Sequence, residues 1–172
     1  MTPTTLTENP IRTNVDPRTE TSIRVRIMNI KSGRYLSIEG KQDKWGNDDA
    51  SLTIRDWMDG PVLESSQVWT IIRYRKDEFT IINQYSKAYA CIRGKSKNDE
   101  ATVTQYHDQF VSEPFQQWRF SQMENQSWLI QNINSQKFIG PQGRSTANDH
   151  YCIQHTNQTD EDSFQEWVFL QT

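Results

Sequence analysis

A chain of 172 residues is long enough for one domain with a substantial core, and a net charge of −3 gives no basic excess of the kind a nucleic-acid surface requires. Mean hydropathy is −0.87, yet aromatic residues make up 11% of the chain; unfolded chains are poor in aromatics, so a folded domain with a polar surface is expected. No run approaches the roughly 18 apolar residues of a membrane span, so membrane insertion is not expected.

Residues 1–22, MTPTTLTENPIRTNVDPRTETS, are rich in Thr and Pro and lack the apolar run of a signal peptide. They read as a flexible, dispensable N-terminal tail ahead of a domain over 23–172. Without a leader the expected location is cytoplasmic, with any release following an unconventional route. Cys91 and Cys152 fit that compartment as free thiols.

From residue 23 apolar residues alternate: IRVRI puts Ile23, Val25 and Ile27 on one side and its arginines on the other, the mark of a half-buried strand. The segments IMNIKSGRYLSIEG (27–40), IINQYSKAYACIRG (81–94) and IQNINSQKFIGPQG (130–143) then align without a gap. Asn29, Asn83 and Asn132 coincide, as do Ser32, Ser86 and Ser135, then the aromatics Tyr35, Tyr89 and Phe138, and finally Gly40, Gly94 and Gly143. Each segment turns at Asn-x-x-Ser, where short polar side chains bond nearby backbone, and resumes as a second strand. The first copy carries an extra loop, KQDKWGNDD (41–49).

A third strand follows in SLTIRDW, TVTQYHD and YCIQHTN, and a fourth carries Gln-x-Trp. The motif pairs Gln67 with Trp69, Gln116 with Trp118 and Gln165 with Trp167, at one interval throughout (118 − 69 = 167 − 118 = 49). A repeat of about fifty residues with four short strands per copy points to an all-β closed architecture, because closure removes unpaired edges. The expected fold is a β-trefoil with the tryptophans meeting near its pseudo-threefold axis. The Gln-x-Trp residues are read as structural, with buried rings and amides that satisfy strand ends.

With Leu52, Val103 and Cys152 inward, strand parity sends Arg55 and Trp57, Tyr106 and Asp108, and His155 and Asn157 outward. An aromatic beside a carboxylate or amide suits a pyranose, whose C–H groups pack on a ring while its hydroxyls take hydrogen bonds. Gln105 and Gln154 fall on the inward parity that Ile54 holds in the first copy, which calls for a local bulge. His150 and Cys152 share a strand face that His155 does not, which argues against a metal centre and against a Cys–His nucleophile. No carboxylate pair stands out. Neither enzyme activity, nor a metal, nor any other cofactor is expected.

Three Gln-x-Trp motifs in register, each after a Gly-x-Tyr-Leu-like strand such as SGRYLSIEG, resemble the ricin B-chain-like family of β-trefoil lectins over residues 23–170. The resemblance implies carbohydrate binding without catalysis, with up to one shallow pocket per repeat. It also implies an acidic residue two positions after Tyr35, Tyr89 and Phe138, a third-strand aromatic, and a polar residue before the Gln-x-Trp. This chain has Ser37, Cys91 and Gly140 at the acidic position and Ser66, Phe115 and Phe164 before the glutamine. Tyr106 holds the stacking position, which Arg55 and His155 occupy in the other repeats. The expectation is a lectin for glycans or glycoconjugates, of galactose or N-acetylgalactosamine type with diverged sites, gaining avidity from multivalency. Tyr106 with Asp108 ranks first, Trp57 with Arg55 second, His155 with Asn157 third. The alternative is a protein-binding trefoil, such as a protease inhibitor, that uses the loop around Trp45 or the segment MDGPVLESS (58–66).

Overall fold

The alternation at Ile23, Val25 and Ile27 becomes strand β1 (Ser22–Asn29) in the computed structural model, which describes residues 14–107 and 112–172. The first repeat continues with β2 (Tyr35–Ile38), β3 (Leu52–Arg55) and β4 (Trp69–Arg75). The second has β5 (Glu78–Asn83), β6 (Tyr89–Ile92), β7 (Val103–Tyr106) and β8 (Trp118–Gln122). The third has β9 (Trp128–Asn132), β10 (Phe138–Pro141), β11 (His150–His155) and β12 (Trp167–Gln171).

The first and fourth strands of the repeats pair in a closed antiparallel ring, β1–β4–β5–β8–β9–β12 and back to β1. The second and third strands form the hairpins β2–β3, β6–β7 and β10–β11. A barrel with three equivalent hairpins is the β-trefoil that the repeat implied.

The repeated residues recur as repeated bonds. Asn29, Asn83 and Asn132 each accept the backbone N–H of the serine three positions on. Their Nδ2 groups donate to the carbonyls of Phe164, Ser66 and Phe115, so the Asn-x-x-Ser turn is tied to the residue before each Gln-x-Trp. The tryptophans are fully buried. Each indole N–H reaches its own hairpin: Trp69 to Leu36 O at 3.0 Å, Trp118 to Ala90 O at 3.0 Å and Trp167 to Ile139 O at 3.1 Å. The barrel rings that touch one another are Phe79, Phe120, Phe169 and Trp128.

Each repeat also grips the next through the loop between its second and third strands. Asp49, Glu100 and Asp149 sit at φ 67°, 72° and 62° and donate their N–H to the carbonyls of Gln105, Gln154 and Ile54. Asp tolerates this left-handed backbone better than most residues. The side chain just before each accepts a backbone N–H across the same junction: Asp48 from His107, Asp99 from Thr156 and Asn148 from Asp56.

The inward glutamines belong to this grip, and no bulge accompanies them: Ala90↔Gln105 and Ile139↔Gln154 pair in regular register. Gln105 Nε2 donates to Trp45 O and Asn47 O, both at 2.8 Å, and its Oε1 accepts from Ser86 Oγ at 2.7 Å. Gln154 repeats the pattern with Ser96 O, Asn98 O and Ser135 Oγ. A buried amide with every group bonded escapes the penalty of desolvation, so the inward parity holds at these positions without the expected bulge.

The expected free tail over 1–22 changes for residues 14–22, while residues 1–13 lie outside the described residues. Asn14 pairs with Leu170, and its Oδ1 accepts Phe169 N–H. Val15 N donates to Phe169 O, Arg73 N donates to Thr21 O, and the Arg18 guanidinium lies 4.8 Å from the Trp128 ring centroid. β12 thus acquires a further partner beyond the barrel. A truncation starting at Ile23 is expected to lose about 1–2 kcal/mol and to melt roughly 2–8 °C below the full chain. A truncation with an unchanged melting temperature in scanning calorimetry would refute a role for this segment in stability.

Candidate functional site

The three third-strand faces have different contents. In the first repeat Arg55 is tied down within the fold, its Nη1 donating to Gly40 O at 2.5 Å and its Nε lying 3.5 Å from Asp149. The Arg26 guanidinium stacks on Trp57 at 3.4 Å from the ring centroid, Tyr35 meets the same indole edge-on at 5.2 Å, and the indole N–H donates to Asp59. Arg26, read as an outward strand charge, is only 2% exposed under this cover. Its Nη1 donates to Gln67 Oε1 at 2.6 Å and its Nη2 to Met58 O at 3.1 Å. Trp57, offered by sequence parity as a sugar platform, is thus engaged by Arg26 and Tyr35, and Arg55 by Gly40 and the third repeat's Asp149.

The third repeat is filled in another way. Gly140 leaves room for the Phe164 ring, so that a Cβ at 140 would come within 2.8 Å of Phe164 Cδ2. His155 is half-buried, with Nδ1 at 3.2 Å from Thr156 O and Nε2 at 3.8–3.9 Å from Glu100 and Asp99. Asn157 caps a turn by accepting Thr159 N–H and Oγ1–H.

In the second repeat Cys91 replaces the glycine. Cys91 and Phe115, the counterparts of Gly140 and Phe164, both line a depression here. Its volume is about 530 Å³, and its lining also includes Tyr106, Arg93 and Lys95, and Asp48 and Asp49 from the first repeat's loop. The structure thus brings Tyr106 into a cavity, as its stacking position suggested, while Asp108, its expected partner, lies outside the described residues. The carboxylates on this wall were missed by sequence reasoning. A signal existed in NDD (47–49), NDE (98–100) and AND (147–149), which recur at nearly the repeat interval, but a loop that serves the neighbouring repeat escapes an alignment made within each repeat.

The wall is pre-ordered by charge. Asp49 Oδ1 accepts Arg93 Nε–H at 3.1 Å and its carbonyl accepts Arg93 Nη2–H at 2.9 Å. Lys95 Nζ lies 5.1 Å from the Phe115 ring centroid and 3.5 Å from Glu113. Asp48 Oδ1 meets both the backbone N–H and the Nδ1 of His107 at 2.7 Å, which holds that imidazole above its usual pKa, partly offset by burial. Burial pushes the Cys91 thiol up to about 11, moderated by Thr104, and pushes Cys152 up as well. Both cysteines are free, and such thiols supply little thiolate at neutral pH.

Trp45, at the centre of the extra loop, is 2% exposed; it packs edge-on against Tyr85 and donates its indole N–H to Gly40 O. It anchors the loop that carries Asp48 and Asp49 and is not a surface contact. Of the Gln-x-Trp amides, Gln67 and Gln165 bond the segment that follows the third strand of their own repeat. Gln116 is equally buried, and its amide has no partner among the described residues; its counterpart segment includes residues 108–111.

Solved structures share the architecture at low identity. A designed three-fold symmetric protein, ThreeFoil, superposes with a TM-score of 0.76 at 18% identity, over 87% of this chain and 99% of its own. The Macrolepiota procera ricin B-like lectin, solved in complex with lactose, gives 0.71 at 18% identity over 90% of this chain and 99% of its own. An exo-β-1,3-galactanase from Clostridium thermocellum gives 0.76 at 20% identity, but this chain spans only 31% of its length. Among curated proteins none matches the chain. The family described as ricin-type beta-trefoil lectin domain-like matches residues 14–106, more than half of the sequence, and the threefold Gln-x-Trp barrel agrees with it. The chain belongs to the ricin-type β-trefoil lectin domain-like family.

Proposed function

We propose that the chain is a non-enzymatic glycan binder that uses the second-repeat depression as its principal site. The observation that carries this reading is the joining of Tyr106 and Phe115 with Asp48, Asp49, Arg93 and Lys95 around one cavity. A pyranose presents an apolar C–H face to aromatic rings, while its hydroxyls donate to carboxylates and accept from guanidinium or ammonium groups. Asp48 and Asp49 are each engaged by a basic side chain, which fixes their oxygens in place as acceptors. With Cys91 at the family's acidic position, the hydroxyl acceptors come from the preceding repeat's loop, so specificity is read as diverged from the galactose type.

A glycan array that includes lactose, followed by calorimetric titration of the hits, tests the proposal. Tyr106→Ala is expected to weaken binding by about 1–3 kcal/mol, the range for aromatic stacking on a flat ligand face. Trp57→Ala and His155→Ala should leave affinity within about twofold, because those rings pack within the fold. Unchanged affinity in a folded Tyr106→Ala protein would remove the second repeat as the site.

A protein-binding role keeps one foothold, because Val62 and Leu63 are 46% and 42% exposed on a short helical turn, α1 (Pro61–Ser65). A protein that captures no glycan and whose partner is lost in Val62→Asp/Leu63→Asp would favour that reading.

A further inference from the structure

Three equivalent junctions join the repeats, and they differ in the residue that follows the third strand. The residue that donates its backbone N–H to Asp48, Asp99 or Asn148 is His107, Thr156 or Asp56. His107 adds its side chain to the junction: Nδ1 lies 2.7 Å from Asp48 Oδ1 and Nε2 lies 2.8 Å from the Ser86 carbonyl. Both ring nitrogens face oxygen acceptors, an arrangement that only the doubly protonated imidazolium satisfies; a neutral ring sets one lone pair against an oxygen. The junction that carries His107 is also the one whose loop supplies Asp48 and Asp49 to the second-repeat cavity.

We infer that His107 is a positioning residue for the proposed glycan site, its imidazolium pinning the Asp48–Asp49 wall against β7, so that affinity falls as the pH rises and the ring loses its charge. The inference rests on the glycan-binding reading for its effect on affinity, but the pinning itself is a property of the ligand-free protein. Around the ring, the 41–49 loop presents Asp48, with Asp49 turned to Arg93. The turn between β5 and β6 presents the Ser86 carbonyl, with Lys87 as its neighbouring charge, and on its own segment His107 follows Tyr106 and precedes Asp108, which lies outside the described residues. The shift of the imidazole has the matching sign: raised first by its bond to Asp48, it gives a contact complete at low pH and lost as the pH rises through the folded-state value. His107 and Asp48 side chains are 45% and 44% exposed, so the effect is modest.

Two measurements on the full chain separate this inference from the reading beneath it. The first uses no ligand: hydrogen-exchange protection of the Asp49 amide, which bonds Gln105 O, is followed between about pH 5.5 and 8 after correction for base-catalysed exchange. Protection should fall about two- to fivefold across that range in the native protein, and should be flat and low in His107→Gln. Flat protection in the native protein would overturn the pinning. The second titrates array hits at both pH values. A two- to fivefold weaker dissociation constant at high pH, absent in His107→Gln, supports the inference. Binding that Tyr106→Ala abolishes but that ignores pH would overturn the role of His107 while leaving the site intact. Absence of any glycan hit alongside pH-dependent protection would overturn the glycan reading and leave the pinning of the loop.

Discussion

Replacing Trp118 with alanine is expected to cost about 3–5 kcal/mol, the range for truncating a large buried aromatic. The ring is fully buried, and its strand position pairs with Phe79 on one side and Asn132 on the other. Truncation removes apolar contact and opens a cavity between barrel strands. It also deprives the carbonyl of Ala90, a residue with no exposure on the β6 hairpin strand, of the indole N–H at 3.0 Å. Trp118→Phe separates the two contributions, since it keeps much of the apolar volume but strands the carbonyl, which costs about 1–3 kcal/mol. Urea unfolding should show both losses as a lowered midpoint with an unchanged slope. An alanine variant within about 1 kcal/mol of the parent would mean that the tryptophan does not tie barrel to hairpin.

The sequence carried the fold because the trefoil repeats its bonds along with its residues. Asn29, Asn83 and Asn132 are the same residue in the same place since each performs the same turn and reaches the same carbonyl position. Tyr106 was legible for a similar reason, as an aromatic at a fixed place on a strand. What stayed hidden depends on contacts between segments far apart in the chain, within one repeat or across two. Arg26 looks like an exposed strand arginine until Trp57 and Gln67 close over it from distant parts of the repeat. Gln105 looks like a parity error until the carbonyls of Trp45 and Asn47 arrive from the preceding loop. Asp48 and Asp49 belong by position to the first repeat but line the depression of the second. Periodicity within one repeat contains no term for such exchange.

Gln67→Ala is expected to cost about 3 kcal/mol, more than the same change at Gln165, because in the first repeat the motif's amide has taken charge of a buried cation. Gln67 Oε1 accepts from Arg26 Nη1 at 2.6 Å and from Met58 N at 2.9 Å, while Nε2 donates to Ser37 Oγ and Asp56 O. Gln165 makes only bonds to backbone, with Gln158 N and with the Thr156 and His155 carbonyls, so its removal should cost nearer to 1–2 kcal/mol. Arginine cannot relieve the loss by giving up a proton. Glu64 is the nearest counter-charge at 3.9 Å, and its side chain is 47% exposed, too well solvated to substitute for a buried acceptor. The positions aligned with Arg26 hold Thr80 and Leu129, both buried, so the trefoil accommodates an uncharged side chain there. Adding Arg26→Leu to Gln67→Ala should therefore recover stability relative to Gln67→Ala alone, because the charge that needed the amide is gone. Equal losses for Gln67→Ala and Gln165→Ala in urea unfolding, with no recovery in the double variant, would show that the Arg26 guanidinium is held sufficiently by Met58 O and the Trp57 ring.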